Sequence, residues 1–526
     1  MGDRFAFSRV ATPQQLNWFL TWNQMGGNPS FLRFLFQTGS HMRNSFLPLS
    51  LAACLMGGSL LPAQSRNVTL LSHVNKHGRY NDCWGYVAPN GTEYALLGTT
   101  TGLSILNLKN PSKPVEVGFF RGATSTWRDI KTYKNYVYVV TEARGVGMRI
   151  FDMSKPDSPR LVNSGWGRSI YRNCHDIYID TKEGVAYLCG TNVGMVVADV
   201  RANPVNPKYL MTWRGNYIHD LHVQDGYAHV AEIYVNRYHI LDVRGVRNTP
   251  PVIKSLGSVR APGSRYCHNA WATKDNNYAM STNEAAGGPV GIYDIRNKLA
   301  PKLIATFRGN PKGAPSAIPH NVYSRDRVGH MSHYTEGYRT FDISTPSKPV
   351  EVGYYDTWSG SSRGYNGDWG CFPFFPSGIV ILSDIQSGLY VVRPKSIATK
   401  YGKGTAGTGG RTPTMNAFGA AYLGNPSFAL HVANAKPNSG GVLVVGGKAG
   451  NLNISGLTIN VELFNPSPIL IAAGTNSQGI AHLNAPIPSS SSLNNVVLYS
   501  QFLVLDPGGS FGMSGTRGLK LTLFAK

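Results

Sequence analysis

The sequence carries little charge for its length: Asp, Glu, Lys and Arg make up 15% of 526 residues, against 42% apolar. That balance excludes a charged coiled coil and a disordered tail protein. Long apolar runs are also missing. The longest, Phe46 to Leu61, is broken by proline and glycine and falls short of the roughly 20 residues a membrane helix needs, so no transmembrane segment is expected in the mature chain. The six cysteines include no CxxC pair, which removes zinc knuckles and thioredoxin-type redox motifs. There is no GxSxG elbow, HExxH helix, phosphate-binding loop or dinucleotide fingerprint. Fifty Lys and Arg against 28 Asp and Glu give a formal charge of +22, yet no three basic residues are adjacent. An excess spread this evenly is not the footprint of a nucleic-acid reader, and no nucleic-acid partner is expected.

What is abundant is turn chemistry and aromatic surface: 59 Gly, 32 Pro and 11% Phe, Trp and Tyr. This composition suits many short strands joined by tight turns. Near the N-terminus, Met42-Arg43-Asn44 supplies a short positive start, Phe46 to Leu61 an apolar stretch and Leu61-Pro62-Ala63 a small-residue end. Those are the three parts of an export signal. Residues 42–63 are therefore expected to be a signal peptide cleaved between Ala63 and Gln64, with 1–41 a non-native upstream extension or disordered. Export places the protein outside the cytoplasm, extracellular or periplasmic, and leaves Cys83, Cys174, Cys189, Cys267 and Cys371 in the mature chain.

The strongest signal is internal repetition. The octapeptide PSKPVEVG at Pro111–Gly118 recurs letter for letter at Pro346–Gly353. Around each copy lie four short strands and a Pro-rich turn. Openings align at Trp84, Arg128, His175, His219, His268, His320 and Trp369. Third strands follow in register from Gly102, Gly147, Gly194, Arg237, Val290, Gly337 and Gly388. Seven four-stranded units of this length predict an all-β chain with a seven-bladed β-propeller over residues 68–396, because a blade buries both faces only between neighbours. In a closed ring the first and last units are adjacent, which makes Cys83 and Cys371 a candidate disulfide.

The segments CWGYVAPNGTEYALLGTTTGLSI from Cys83, WRDIKTY from Trp127, HDLHVQDGYAHVAEI from His219 and SDIQSGLYVV from Ser383 resemble the bacterial LVIVD-repeat proteins of the choice-of-anchor B family. The resemblance spans essentially all seven units. It implies an exported, surface-associated propeller and brings no established reaction or ligand. The C-terminus, ending GLKLTLFAK, departs from an LPxTG-type sorting motif or a terminal span with a basic stop.

After Pro394 the Gly- and Thr-rich residues 397–414 read as a flexible linker. Short apolar segments from Phe428, Gly441, Leu457, Pro468, Asn495 and Gly518 then predict a small β-sandwich over 415–526. From residue 401 onward there are seven Lys and Arg and two Asp and Glu, which suits a sorting or attachment module better than a catalytic one.

First strands of a propeller line its channel, and each second strand returns to the same face. Openings contribute Arg128-Asp129, His175-Asp176, His219-Asp220, His268-Asn269 and His320-Asn321, with Trp84-Gly85 and Trp369-Gly370 in the terminal blades. Second-strand ends contribute Glu142, Glu232, Glu284, His333 and Asp384. The candidate ligand or metal site at the mouth is thus His175, His219, His268, His320, His333, Asp129, Asp176, Asp220, Glu142, Glu232 and Asp384. Imidazoles with carboxylates are the donor set of a divalent transition metal, with Glu232 or Glu142 as candidate base if a metal-bound water is activated. Against that stands a plainer reading, in which the repeated His-Asp and His-Asn pairs satisfy backbone groups where blades meet. Of His222, His229 and His239 in one blade, only His222 shares the face of Asp220, and packing is the plainer role for all three. A binding protein with a surface protein, glycan or small ligand as partner is favoured over a hydrolase or lactonase-like enzyme.

Overall fold

A computed structural model describes residues 65–309 and 315–526. The expected signal peptide, its cleavage at Ala63 and Gln64, and the upstream extension lie outside the described residues. No α-helix occurs among the described residues, and none of their helices is long and apolar enough to cross a membrane.

Seven antiparallel sheets, six of four strands and one of five, follow one another in chain order. The first blade is Tyr80–Val87, Glu93–Thr99, Gly102–Asn107 and Val115–Arg121. The seventh begins with Asp368–Phe372, Val380–Asp384 and Gly388–Pro394 and takes its outermost strand, Val68–Val74, from the other end of the propeller. That strand pairs from Val68 with Pro394 to Val74 with Leu389. Ser65–Arg66 likewise edges the sixth blade. The ring is thus closed by hydrogen bonds from its N-terminal strand, which supplies the last sheet with its fourth strand.

Burial falls from the channel outward. The third strand Gly102–Asn107 is buried at five of its six positions, whereas Val115–Arg121 outside it is half-exposed. Apolar clusters fill the gaps between blades. Val140 and Ile150 of the second blade pack with Ile177 and Leu188 of the third. Cys83 and Leu97 of the first meet Ile381 and Val391 of the seventh. The wholly apolar third strands are explained by this two-sided contact.

The recurrent Asp or Asn ending six of the seven third strands is a turn device. Asp152 Oδ1 accepts the Ser154 N–H at 2.8 Å, Asp199 that of Arg201 at 2.7 Å, and Asn107 that of Lys109 at 2.7 Å. Each side chain copies a backbone turn before the Pro-rich stretch. Gly337 and Gly388 open third strands at φ of 67° and 92°. A Cβ there would come within 2.3 Å of the Tyr355 carbonyl oxygen or 2.5 Å of that of Val74, so the outer strand requires glycine.

Cys83 and Cys371 do fall on neighbouring blades, but as free thiols. The expected disulfide is corrected: Cys83 Sγ is turned to the carbonyls of Gly370 and Ile381, at 3.5 and 3.9 Å. All five cysteines among the described residues are buried and unpaired. In a Cys54→Ser background, Ellman's reagent should find no fast-reacting thiol in native protein and five after denaturation; three after denaturation would restore the disulfide.

The C-terminal region holds a six-stranded sheet and a three-stranded sheet, Thr414–Phe418, Ala429–Ala433 and Ala481–Asn484, with a separate hairpin. Met415, Leu430 and Val432 from the smaller sheet share one apolar cluster with Leu443, Phe502 and Leu521 from the larger. The segment expected as a flexible linker is instead fastened to this domain. Thr399–Tyr401 is the edge strand beside Gly518–Thr522, Thr405 exchanges backbone hydrogen bonds with Gly515, and the Thr408 N–H and hydroxyl are bound by Asp506. Glycine here permits close approach rather than freedom: a Cβ on Gly407 would meet Asp506 Oδ2 at 1.9 Å. The domain also packs on the sixth blade, through Ala420, Tyr422 and Phe524 against Val328 and Val352. The Asn67 amide donates to the Val352 and Ala525 carbonyls at 3.0 and 2.7 Å.

Candidate functional site

Three layers of first-strand side chains stack down the channel. At the mouth stand Asn81, Arg128, His175, His219, His268, His320 and Trp369. One residue further on are Asp82, Asp129, Asp176, Asp220, Asn269, Asn321 and Gly370. Three residues beyond the mouth come Trp84, Lys131, Tyr178, His222, Trp271, Tyr323 and Phe372.

This corrects the register of the first blade. Asn81-Asp82, not Trp84-Gly85, takes the opening, and Trp84 belongs to the third layer. The seventh blade shows the fit, since a Cβ on Gly370 would lie 2.2 Å from Asp82 Oδ1. Asp82 fills the space its neighbour leaves.

The mouth histidines form a ladder. Ring centroids are 4.1 Å apart from His175 to His219, 4.1 Å from His219 to His268 and 4.4 Å from His268 to His320, with Trp369 5.0 Å beyond. His219 Nδ1 bonds the His268 carbonyl at 3.1 Å, and His320 Nδ1 bonds that of Trp369. Such a bond fixes the tautomer and leaves Nε2 as the acceptor. Burial first, then neighbouring imidazoles, holds His219 and His268 well below the ordinary histidine pKa, and burial takes His320 down to about 3. These rings are neutral at physiological pH, the form a metal accepts.

Beneath them lies a ring of four acids with one base. Lys131 Nζ donates to both oxygens of Asp129, at 2.7 and 2.9 Å, and stands 4.0 Å from Asp82. Burial alone would raise Asp129, but Lys131 and hydrogen bonds from the adjoining acids bring it to about 2. Burial, then the charge of Asp129, pushes Asp82 and Asp176 well above the usual carboxylate range, and burial raises Asp220 to about 6. The same layer ties blade to blade. Asp129 accepts the Ile177 N–H at 2.8 Å, Asn269 accepts that of Val322 at 3.0 Å, and the Asn269 amide donates to Asp220 at 2.7 Å. These contacts match the plainer reading of the Asp and Asn half of each pair.

Of the candidate residues, His175, His219, His268, His320, Asp129, Asp176 and Asp220 line one cavity of about 30 Å³ at the mouth, together with Trp127 and Trp369. That is room for an ion or a water. Glu142 holds His175 Nδ1 at 2.5 Å. Three candidates lie elsewhere. Glu232 is bound by Arg237 at 2.5 Å and His239 at 2.9 Å. Asp384 caps its own turn, accepting the N–H groups of Gln386 and Ser387 at 2.9 and 2.8 Å. His333 is buried away from the cavity, its backbone N–H bonded to the Gly337 carbonyl.

Besides Glu142 at His175, a second carboxylate reaches the ladder, Glu284. Its oxygens lie 3.5 Å from His268 Nε2 and 3.9 Å from His320 Nε2, and the Tyr334 hydroxyl donates to it at 2.7 Å. Burial raises its pKa to about 7. The three groups offer ligand atoms within 4.8 Å of one another. Second-strand position marks Glu284 in the sequence, but nothing there separates it from Glu232. Lys131 was missed, although its spacing marks it, two residues after Asp129 on the same strand face.

His222 lies in the third layer, stacked on Trp271 at 4.0 Å and accepting the Ala272 N–H. His229 bonds the Tyr238 hydroxyl at 2.6 Å. Trp271, Tyr323 and Phe374 make mutual ring contacts at 4.8 to 6.1 Å, and Trp84 joins them through Tyr323 at 6.1 Å. Together they plug the channel below the acids.

Comparison with family models matches the LVIVD repeat at residues 126–165 and 340–357. It is an LVIVD-repeat protein. The first match covers nearly all of the second blade, including Arg128, Asp129 and Lys131; the second covers the end of the sixth and contains one copy of the octapeptide. No curated protein matches the chain. The matched LVIVD repeats lie in the second and sixth blades, while the histidine ladder is confined to blades three to six.

Proposed function

We propose that this LVIVD-repeat protein is an exported, surface-associated binding protein whose channel mouth takes a divalent transition metal. The observation that carries the metal is the convergence of two neutral imidazoles and one carboxylate, His268, His320 and Glu284, beside a cavity sized for an ion. Two nitrogens and one oxygen suit zinc and its neighbours and leave a coordination position open to the mouth. A surface protein, glycan or small ligand would then meet the site from outside, with Trp127, 43% exposed, on its rim. Export rests on the charged, apolar and small-residue pattern of residues 42–63 and on the likeness to choice-of-anchor B proteins, with the C-terminal domain as the attachment or spacing module.

A hydrolase or lactonase-like activity draws on the same groups, with Glu284 near the pH range of a general base. It stands second because Glu284 is taken up as a metal ligand and Glu142 is held by His175, which leaves neither carboxylate free as a base.

Zinc titrated calorimetrically into chelator-treated protein should bind one equivalent. Glu284→Gln and His268→Gln should each weaken binding at least about tenfold, while His239→Gln, which touches Glu232 instead, should not. Absence of zinc binding, or equal binding in all four proteins, would refute the metal site.

A further inference from the structure

At the far end of the channel, below the aromatic plug, a second chamber of about 450 Å³ lies between the propeller and the C-terminal domain. Its propeller wall comes from the exits of first strands in blades four to seven; its other wall comes from Lys400, Asn416, Arg517 and Leu519. The size is that of a small-molecule site.

Its charge is one-sided. Lys274, Arg325, Lys400 and Arg517 line it against a single acid, Asp326. Both guanidinium groups are anchored by carbonyls: Arg325 by those of Pro373 and Phe375, and Arg517 by Gly402 at 3.1 Å. Asp326 is shared with Arg325 at 3.7 Å. Among the described residues, neither lysine ammonium has a carboxylate within ion-pair distance. Burial, and then the crowding of Lys274, Arg517 and Arg325 against the pull of Asp326, lowers the pKa of Lys400.

Two further features make this a built site rather than a basic surface. Ser324, 7% exposed, lines the chamber with a buried hydroxyl that has no hydrogen-bond partner among the described residues, a costly arrangement unless a ligand supplies one. Trp271 and Phe374, stacked at 5.6 Å, form an apolar wall beside the cations.

We infer that this interdomain chamber binds a small organic polyanion with a flat apolar body, its charged groups held by Lys274, Lys400 and the two arginines and by the Ser324 hydroxyl, and its body laid on Trp271 and Phe374. The site shares no residue with the channel mouth and does not depend on the metal.

Trimesate, a planar tricarboxylate, serves as the probe, with citrate as its non-planar counterpart, both titrated into the full chain in 150 mM salt so that diffuse attraction is screened. Trimesate should bind more tightly than citrate. Lys274→Gln/Lys400→Gln should weaken it at least tenfold, and Ser324→Ala severalfold. Lys113→Gln/Lys155→Gln, on other blades, should leave it unchanged. Binding by neither anion, or equal loss in both lysine pairs, would overturn the site; equal affinity for the two anions would overturn the flat apolar body. A thermal melt of each variant separates lost binding from lost folding.

Discussion

Lys131→Met should destabilise the propeller by about 3–5 kcal/mol, the usual cost of stripping one partner from a buried ion pair. Lys131 is 7% exposed and, among the described residues, is the one cation ion-paired with this ring of acids, to Asp129 and Asp82. Without it the acids face only each other, and the protein relieves the repulsion by taking up protons. That response fixes the pH dependence. A carboxylate whose folded pKa lies above its unfolded value favours the fold at acid pH and loses that contribution as pH rises through the folded pKa. Asp82, Asp176 and Asp220 are already in that position, and Asp129 would join them. The deficit in Lys131→Met, measured by urea unfolding, should therefore be larger at pH 8 than at pH 5. Adding Asp129→Asn should recover part of it. A loss under about 1 kcal/mol, or one independent of pH, would mean that the acids do not depend on Lys131.

The second large effect concerns ring closure. Protein that begins at Asn75 lacks Val68–Val74, the outer strand of the seventh blade. Val68 is 4% exposed, and Leu71 and Val74 pack on the cluster joining the last blade to the first. Burying three such side chains is worth about 4–6 kcal/mol. Removal also bares the edge of Gly388–Pro394, a template for aggregation. Urea midpoints should fall sharply beside protein beginning at Ser65, and a synthetic peptide of residues 65–74 added in trans should restore part of the loss. Matching midpoints for the two forms would show that the ring stays closed without this strand.

Blade architecture was legible because a repeat prints its own period: the third strands and the duplicated octapeptide fixed the register wherever a glycine or Asx turn marked it. The first blade slipped because tryptophan at 84 and 369 looked equivalent, whereas identity of position came from a small polar pair, Asn81-Asp82, that keeps the Asp of the other openings but lacks their histidine. Site residues were legible down each first strand, where the local pattern His-Asp or His-Asn repeats. They were less so across the channel, since whether a second-strand carboxylate reaches the mouth depends on its neighbours. Glu232 is captured by Arg237 and His239 within its own blade, while Glu284 meets only a tyrosine hydroxyl and two histidines. The segment from 397 to 414 misled for a related reason: glycine signals freedom in isolation, but here it lets Asp506 and Gly515 come close.

The plug of Trp84, Tyr178, Trp271, Tyr323 and Phe374 makes the central axis a septum rather than a conduit. The cavity at the histidine end and the chamber at the lysine end share no lining residue, so each meets its own surroundings. Any communication between them has to run through contact alone. Trp271 is the obvious relay: one flank of its ring lies on His222, and the other forms part of the lower chamber's ceiling.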